Sequence, residues 1–237
     1  MKNASKTSRK MTTPPSLLVC DYDGTLATDG AVTSRTLEAL RAMAESGLTL
    51  VLATGRELDD LISIFPEISL FAWVIAENGA VIFETATSSL EVKGEVPPKE
   101  FLRVLKDRGV KPIAIGKAIV ATSHIYAGIL EAEIKRMHLS HKVILNKDSA
   151  MVLPRGVNKG SALSSILKKL GRSEKDVVGV GDGENDVDLF RTSGFRVAVA
   201  NAVPELKEAA DWVSSGEAGE GIEQLSELLL SQRVSRR

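Results

Sequence analysis

The sequence has few of the features that mark secreted, metal-thiolate or nucleic-acid-binding proteins. Among its 237 residues there is one cysteine, Cys20, which excludes an intramolecular disulfide. Cys20 lies in an apolar run, so we expect a small buried hydrophobe rather than a nucleophile. The 30 basic and 31 acidic residues leave a formal net charge of −1. That balance gives no support for binding to nucleic acid or to an anionic membrane.

Long apolar runs are also missing. No segment approaches the roughly 20 apolar residues that a membrane span requires. The first residues carry positive charge without the apolar stretch of a signal peptide. We therefore expect a cytoplasmic protein with a flexible N-terminal tail over residues 1–15. The length suits one large domain, or one domain with an insertion, and leaves the oligomeric state open.

Apolar strands alternate with helical patterns in the first half of the chain. Continuous apolar runs at 17–20, 48–53 and 72–76 predict buried strands, and Thr33-Ser34 offers an N-cap for the helix after the first of them. The same alternation resumes after residue 157. Strands that are apolar on both faces and joined by helices favour a parallel sheet covered on both sides, a Rossmann-like α/β core. We assign this core to 16–85 and 157–232.

The segment between the two halves of the core has a different pattern. Residues 86–156 contain two helical patterns, each followed by a pair of short strands separated by a turn signal. This αββαββ order is typical of antiparallel structure. We therefore predict a second, inserted domain that caps the core.

Asp21 and Asp23 follow the first apolar run, two positions apart, so their side chains lean the same way. Two close carboxylates repel, and a divalent cation would remove the conflict. Oxygen ligands without nearby His or Cys select a hard ion, and Mg²⁺ is the natural choice. Asp182, after another strand, can supply a third carboxylate. Gly24 permits a sharp turn, which we expect Thr25 to hold by a local hydrogen bond.

Further polar residues fall at the same predicted edge. Thr54 follows the second strand, and Lys159 begins the helix that precedes the strand before Asp182. Ligands of open parallel sheets bind beyond the carboxyl ends of the strands. The edge therefore combines carboxylates, a hydroxyl and an ammonium group.

These residues occur in motifs that resemble those of the haloacid dehalogenase superfamily. Four segments match in the order of the family: Asp21-Tyr22-Asp23-Gly24-Thr25-Leu26, Ala53-Thr54-Gly55-Arg56, Asn158-Lys159-Gly160 and Gly181-Asp182-Gly183-Glu184-Asn185-Asp186. Glu77-Asn78-Gly79-Ala80 and the αββαββ insertion resemble the subgroup with a large α/β cap, the type IIB or Cof-like cap. That subgroup includes sugar-phosphate phosphatases and the archaeal type of phosphoglycolate phosphatase.

The resemblance implies a role for each motif. Asp21 would attack phosphorus, and Asp23 would act as general acid and then general base. Metal binding would fall to Asp21, the backbone carbonyl of Asp23 and Asp182. Phosphate binding would fall to Thr54, Gly55 and Lys159, whereas Asn185 and Asp186 would orient Lys159 or a metal-bound water. The candidates for substrate contacts are Arg56, Asn78, Lys117, His124, Asn146 and Arg155.

The resulting hypothesis is a Mg²⁺-dependent phosphomonoesterase that acts on a small phosphorylated metabolite through an aspartyl-phosphate. A phosphomutase that uses the same aspartyl-phosphate is the alternative, since such enzymes also carry the second aspartate. A non-catalytic binding protein on a retained fold would predict a broken motif, and none is broken. Neither nucleic acid nor a membrane is an expected partner.

Overall fold

The computed structural model describes Met11 and residues 14–234, so the predicted tail over 1–15 lies almost entirely outside the described residues. Twelve strands and eight α-helices occur in the part that is described. The strands are β1 Leu17–Asp21, β2 Thr49–Ala53, β3 Trp73–Ala76, β4 Val81–Glu84, β5 Ser89–Val92, β6 Ala114–Ile115, β7 Val120–Ser123, β8 His141–Asn146, β9 Ser149–Pro154, β10 Val177–Gly181, β11 Phe195–Ala198 and β12 Trp212–Val213. The helices are α1 Ser34–Glu45, α2 Leu58–Ile64, α3 Lys99–Asp107, α4 Ala127–Arg136, α5 Lys159–Leu170, α6 Val187–Arg191, α7 Pro204–Ala209 and α8 Ala218–Val234.

Eight strands form the core sheet in the order β12-β11-β10-β1-β2-β3-β4-β5. The pairings from β12 to β3 are parallel, and β4 and β5 add an antiparallel edge. β1 lies between β10 and β2. The predicted Rossmann-like parallel core is confirmed.

The strand β1 is buried on both faces, which explains its uninterrupted apolar sequence. Leu18 and Cys20 face one apolar cluster, in which α1 contributes Leu40. Leu17 and Val19 face another, to which α5 contributes several side chains. Thr33 caps α1, as expected, by accepting a hydrogen bond from the N–H of Thr36 at 3.1 Å.

The cap lies between β5 and α5 and has the predicted order, α3-β6-β7-α4-β8-β9. Its four strands are antiparallel in the order β6-β7-β9-β8. The two cap helices cover the sheet through a separate apolar cluster that includes Phe101, Leu105 and Leu130. The predicted αββαββ cap is confirmed as a layer with a core of its own.

Two differences from the sequence-based expectations concern short elements. β4 and β5 were not predicted, and β5 pairs with the core sheet although residues 89–92 fall in the segment predicted to be inserted. β5 is an edge strand, and its Leu90 and Val92 are exposed, so it lacks the buried pattern that identified β1 to β3. The short helices α6 and α7 were also missed. The division of the chain into domains at 85/86 and 156/157 stays a prediction.

Among the described residues, none of the helices has the length and apolar content that crossing a bilayer would require.

Candidate active site

The two aspartates that follow neighbouring strands lie together at the carboxyl edge of the core sheet. β1 ends at Asp21 and β10 ends one residue before Asp182, and these strands are hydrogen-bonded partners. Carboxylate oxygens of Asp21, Asp182 and Asp186 all lie within 4.8 Å of one another. Three buried carboxylates at this separation require compensating positive charge.

Lys159 supplies part of that charge. It is the first residue of α5 and is fully buried, and its Nζ donates hydrogen bonds to Asp21 Oδ1 and, at 2.7 Å, to Asp186 Oδ1. The preceding residue, Asn158, caps the helix by accepting from the N–H of Ser161 at 2.7 Å, which fixes where α5 begins. The N-cap at Asn158 therefore places Lys159 next to the end of β1.

The electrostatics of this pair follow from its burial. Burial opposes the charge on Lys159, but Asp186 and Asp21 outweigh it and raise the pKa of Lys159 above its usual range. Burial also raises the pKa of the Asp21 carboxyl, although the Lys159 ammonium acts in the opposite direction. The buried thiol of Cys20 behind them has a raised pKa, first from burial and then from Asp21. Cys20 is therefore an apolar core residue, as expected, rather than a nucleophile.

Asp186 uses both carboxylate oxygens for contacts within the protein. Oδ1 accepts from Lys159, and Oδ2 accepts from the backbone N–H groups of Asp182 at 3.1 Å and Gly183 at 3.0 Å. A carboxylate engaged in this way holds the lysine and the loop after β10. This geometry suits the predicted role of orienting Lys159.

Asp182 is held differently. Its Oδ1 accepts a hydrogen bond from Thr25 Oγ1 at 2.9 Å. The expectation that Thr25 bonds locally is wrong, because its hydroxyl instead joins two segments that are 157 positions apart in sequence. Asp182 Oδ2 is buried, and its ion-pair partner is the ammonium of Lys147, 2.8 Å away. Burial opposes the charge on Lys147, yet Asp182 outweighs it and raises the Lys147 pKa.

The carboxylate cluster could hold a divalent metal ion. Asp21 and Asp182 offer buried carboxylate oxygens, and the donor set contains neither nitrogen nor sulfur. Such a set fits a hard cation with oxygen ligands. The loop after β1 packs closely against Asp182 at Gly24, which has a φ of 85°. A Cβ on Gly24 would lie 2.5 Å from Asp182 Oδ2, so this position requires glycine.

The Asp23 side chain turns away from this cluster toward Arg56. Arg56 Nε lies 2.8 Å from Asp23 Oδ2, and Arg56 Nη2 lies 2.8 Å from Asp23 Oδ1, so the two groups form a bidentate pair. The guanidinium also contacts Asp60 at 2.8 Å and lies 5.8 Å from the centre of the Tyr22 ring. Arg56 was predicted as a substrate contact, and here it fixes the orientation of the predicted acid/base.

Thr54 and Gly55 lie at the end of β2, beside Asp21. The Thr54 N–H donates to the carbonyl of Ile75 at 2.8 Å, and its hydroxyl oxygen accepts from the N–H of Arg56 at 3.1 Å. In this arrangement the hydroxyl hydrogen remains to be donated to a ligand. Gly55 permits close packing, since a Cβ there would lie 3.2 Å from Asn78 Nδ2.

Two predicted residues bridge the core and the cap. Asn185 Nδ2 donates to Asn78 Oδ1 at 2.8 Å, and Asn78 Nδ2 in turn contacts Met151 Sδ at 2.8 Å. Asn78 is buried at φ 52°, in the 3₁₀ turn Glu77–Gly79 after β3. Its amide is therefore engaged by protein partners on both sides.

Of the four cap residues predicted as substrate contacts, one lies at the site and three make contacts elsewhere. Asn146 reaches the site: its Oδ1 is buried, receives no hydrogen bond from the described part of the chain, and lies 2.6 Å from where a Cβ on Gly183 would be. Lys117 pairs with exposed Asp59 at 2.9 Å, and His124 lies 3.7 Å from Asp148. Arg155 lines a surface groove of the cap with residues of α4 and β8, none of which belongs to the four motifs.

Sequence reasoning missed two residues. Lys147 was read only as part of a turn signal, and Glu77 only as part of a motif. Glu77 is fully buried, and its carboxylate accepts hydrogen bonds from backbone N–H groups of the cap. For Lys147 the sequence offers no signal, because its contact depends on how the cap docks onto the core.

Phosphatases of the haloacid dehalogenase type are the class of enzyme that this fold and site define. A family model described as haloacid dehalogenase-like hydrolase matches residues 18–115 and 103–225. The chain belongs to this family, and the predicted family assignment and enzyme class are confirmed.

Two similar relatives and one similar structure extend the comparison. The phosphoglycolate phosphatase of Methanothermobacter thermautotrophicus is 30% identical over 86% of this chain and 94% of its own length. That of Archaeoglobus fulgidus is 33% identical over 88% of this chain and 94% of its own length. A solved sugar phosphatase of subclass IIB superposes with a TM-score of 0.74 at 21% identity, over 90% of this chain and 98% of its own. The last likeness concerns the fold, including the cap.

Proposed function

We propose that this protein is a Mg²⁺-dependent phosphomonoesterase that hydrolyses a small phosphorylated metabolite, with phosphoglycolate as the first candidate. The observation that carries the proposal is the buried pair of Asp21 and Lys159, with Asp182 beside it. A carboxylate placed at a strand end next to a buried cation suits attack on an electrophile that bears negative charge. The names of the two archaeal relatives support phosphoglycolate as the substrate.

In the first step, an Asp21 oxygen forms a bond to phosphorus and the bond from phosphorus to the ester oxygen breaks. Asp23 gives its proton to the departing alkoxide, so that a neutral alcohol leaves. Lys159 and the Thr54 hydroxyl balance the charge on the phosphoryl oxygens during transfer. In the structure Arg56 engages both Asp23 oxygens, so this bidentate contact has to open before Asp23 can carry the proton and face the leaving oxygen.

In the second step, water attacks the aspartyl-phosphate. Asp23 removes a proton from that water, inorganic phosphate leaves and the Asp21 carboxylate is regenerated. The tip of the β8–β9 hairpin lies against the site through Asn146 and Lys147, so the cap covers the reacting groups and limits access of bulk water.

Asp21, Asp182 and the backbone carbonyl of Asp23 would hold Mg²⁺. When bound, the ion supplies positive charge that offsets the carboxylates and the incoming phosphate. Asp186 would act indirectly, through Lys159 and the loop after β10. A cytoplasmic location is part of this proposal, since phosphorylated metabolites occur there.

The proposal is tested by the release of inorganic phosphate from an aryl phosphate and from phosphoglycolate, with and without Mg²⁺. We expect Mg²⁺-dependent release by the wild-type protein and its loss in Asp21→Asn. The matched control is Asp29→Asn, an exposed aspartate whose φ of 51° asparagine tolerates. Absence of Mg²⁺-dependent release would overturn the proposal, and transfer of phosphate only with a bisphosphate activator would favour the phosphomutase alternative.

A further inference from the structure

Lys147 lies at the tip of the β8–β9 hairpin, in a turn of two residues between Asn146 and Ser149. Its φ is 50°, a conformation that hairpin turns usually assign to glycine, asparagine or aspartate. A lysine in this position costs some backbone strain, and its side chain makes a specific contact with the core. The contact is the ion pair between Lys147 Nζ and Asp182 Oδ2 at 2.8 Å.

Lys147 differs from the other two cations of the site in how it is held. Lys159 is fully buried between Asp21 and Asp186, and Arg56 is bound to Asp23 and Asp60, so core carboxylates already engage both. The Lys147 side chain comes from the cap and is 50% exposed. A long, flexible ammonium of this kind can move between partners that lie a few ångströms apart.

The same oxygen of Asp182 is one that a divalent cation would use. An ammonium and a metal ion repel each other, so Mg²⁺ held by Asp182 would weaken the ion pair between Asp182 and Lys147. The ammonium lies only 2.7 Å from where a Cβ on Gly24 would be, over the loop that carries Asp21 and Asp23. A displaced Lys147 therefore stays next to the position of the reacting phosphoryl group.

A second polar group accompanies the ammonium. The Oδ1 atom of Asn146 is buried beside Gly183 and finds no hydrogen-bond partner among the residues that the structure describes. Buried amide oxygens are normally paired, and an unpaired one at a site entrance points to a ligand. The hairpin tip thus presents the Lys147 ammonium and the Asn146 Oδ1 atom to a ligand bound at the edge of the core sheet.

We propose that Lys147 is the specificity residue that binds an anionic group on the leaving alcohol, so that the enzyme prefers phosphate esters with a second negative charge, such as a carboxylate. This inference rests on the proposed function and deepens it. In phosphoglycolate a single methylene separates the ester oxygen from the carboxylate, so the second charge lies close to the phosphoryl group. Lys147 is likewise close to the cluster that contains Asp21, because it contacts Asp182. A substrate without the second charge leaves the ammonium unpaired and binds less well.

The test compares phosphoglycolate with ethylene glycol monophosphate, in which a neutral hydroxymethyl group replaces the carboxylate. We expect Lys147→Met to lower the ratio of kcat/KM for phosphoglycolate to kcat/KM for ethylene glycol monophosphate by about tenfold or more. Most of the change should be a higher KM for phosphoglycolate. Lys147→Arg keeps the charge and should keep most of the preference. Lys142→Met is the matched control, because Lys142 lies on the same hairpin but lines the separate cap groove.

Mg²⁺ binding measured by calorimetry without substrate gives an independent readout. Lys147→Met should bind Mg²⁺ several-fold more tightly than the wild type, because no ammonium competes at Asp182, whereas Lys142→Met should not. An unchanged substrate ratio in Lys147→Met would overturn the inference while aryl phosphate hydrolysis still upheld the proposed function. Unchanged Mg²⁺ affinity would refute the inference that the Lys147 ammonium and Mg²⁺ compete for Asp182. A wild-type protein inactive on aryl phosphate and phosphoglycolate would overturn the function and this inference together.

Discussion

Glu77 and Ala118 join the core to the cap through a buried hydrogen bond. The Ala118 N–H donates to Glu77 Oε2 at 2.9 Å, and the neighbouring Lys117 N–H donates to Oε1 at 2.8 Å. Glu77 is fully buried at φ 51°, and a Cβ on Gly116 would lie 2.7 Å from its carboxylate. A single side chain after β3 therefore anchors the β6–β7 turn of the cap directly to the loop that borders the active site.

Replacing Glu77 with glutamine should weaken this anchor. One oxygen becomes an NH₂ group that faces a backbone N–H, so a buried donor loses its acceptor, at a cost of about 1–3 kcal/mol. Urea unfolding should show that loss of stability, and hydrogen exchange should accelerate at the amides of Lys117 and Ala118. The exposed Glu38 of α1 provides the control as Glu38→Gln. Unchanged exchange at the two amides would contradict the anchoring role.

Because of the buried Lys159, the free energy of unfolding should fall as the pH rises into the alkaline range. Its pKa is raised in the folded state, so the folded protein keeps a proton that the unfolded chain loses near pH ~10.4. The resulting stability is fully present below that pH and is lost as the pH rises through the folded pKa. We expect Lys159→Met to cost about 3–5 kcal/mol at neutral pH, because it leaves buried carboxylates uncompensated.

The measurement is the free energy of unfolding in urea at a series of pH values from about 8 to 11. The wild-type protein should lose stability more steeply than Lys159→Met at the alkaline end of this series. Lys168→Met, a change on the exposed side of the same helix, should retain the wild-type slope. Equal slopes for the wild type and Lys159→Met would show that Lys159 does not carry the effect.

Mg²⁺ should stabilise the folded protein through Asp182. A ligand present at 100 times its dissociation constant adds about 2.7 kcal/mol of stability, which raises Tm. Asp182→Asn should remove most of this increase, since it replaces a buried charged oxygen with a neutral amide. Asp188→Asn, on α6 and paired with Arg191, should leave the Mg²⁺-induced rise in Tm unaffected. A similar rise in Asp182→Asn would place the metal elsewhere.

Asp23→Asn should separate the two chemical steps. An amide can neither protonate the leaving alcohol nor activate water, so kcat should fall by about 10²–10⁴-fold. With an activated aryl leaving group, the first step needs little acid assistance and the phosphoenzyme should accumulate. Intact-protein mass spectrometry would detect the added phosphoryl group, and Asp29→Asn should show neither effect. If no phosphoenzyme can be trapped, covalent catalysis at Asp21 is contradicted.

The amino-acid sequence was sufficient to predict the core of the fold and the central residues of the site. Uninterrupted apolar runs identify buried parallel strands, and the carboxyl ends of such strands meet at one edge. That rule alone brings Asp21, Asp182 and Lys159 together, because each directly follows a buried strand or begins the helix before one. The alternation of helices and strand pairs likewise specified the cap.

The contacts between distant side chains across that edge became visible in the folded structure alone. Thr25 bonds to Asp182, Arg56 to Asp23 and Lys147 to Asp182, and in each case the partners are at least 33 residues apart. Local propensity carries no information about such contacts, which depend on the register of β1 against its neighbours and on the docking of the cap. Once the strands have placed the carboxylates at this edge, electrostatic attraction favours the pairs of Arg56 with Asp23 and of Lys147 with Asp182. The ion pair of Lys147 offsets the backbone strain at that residue.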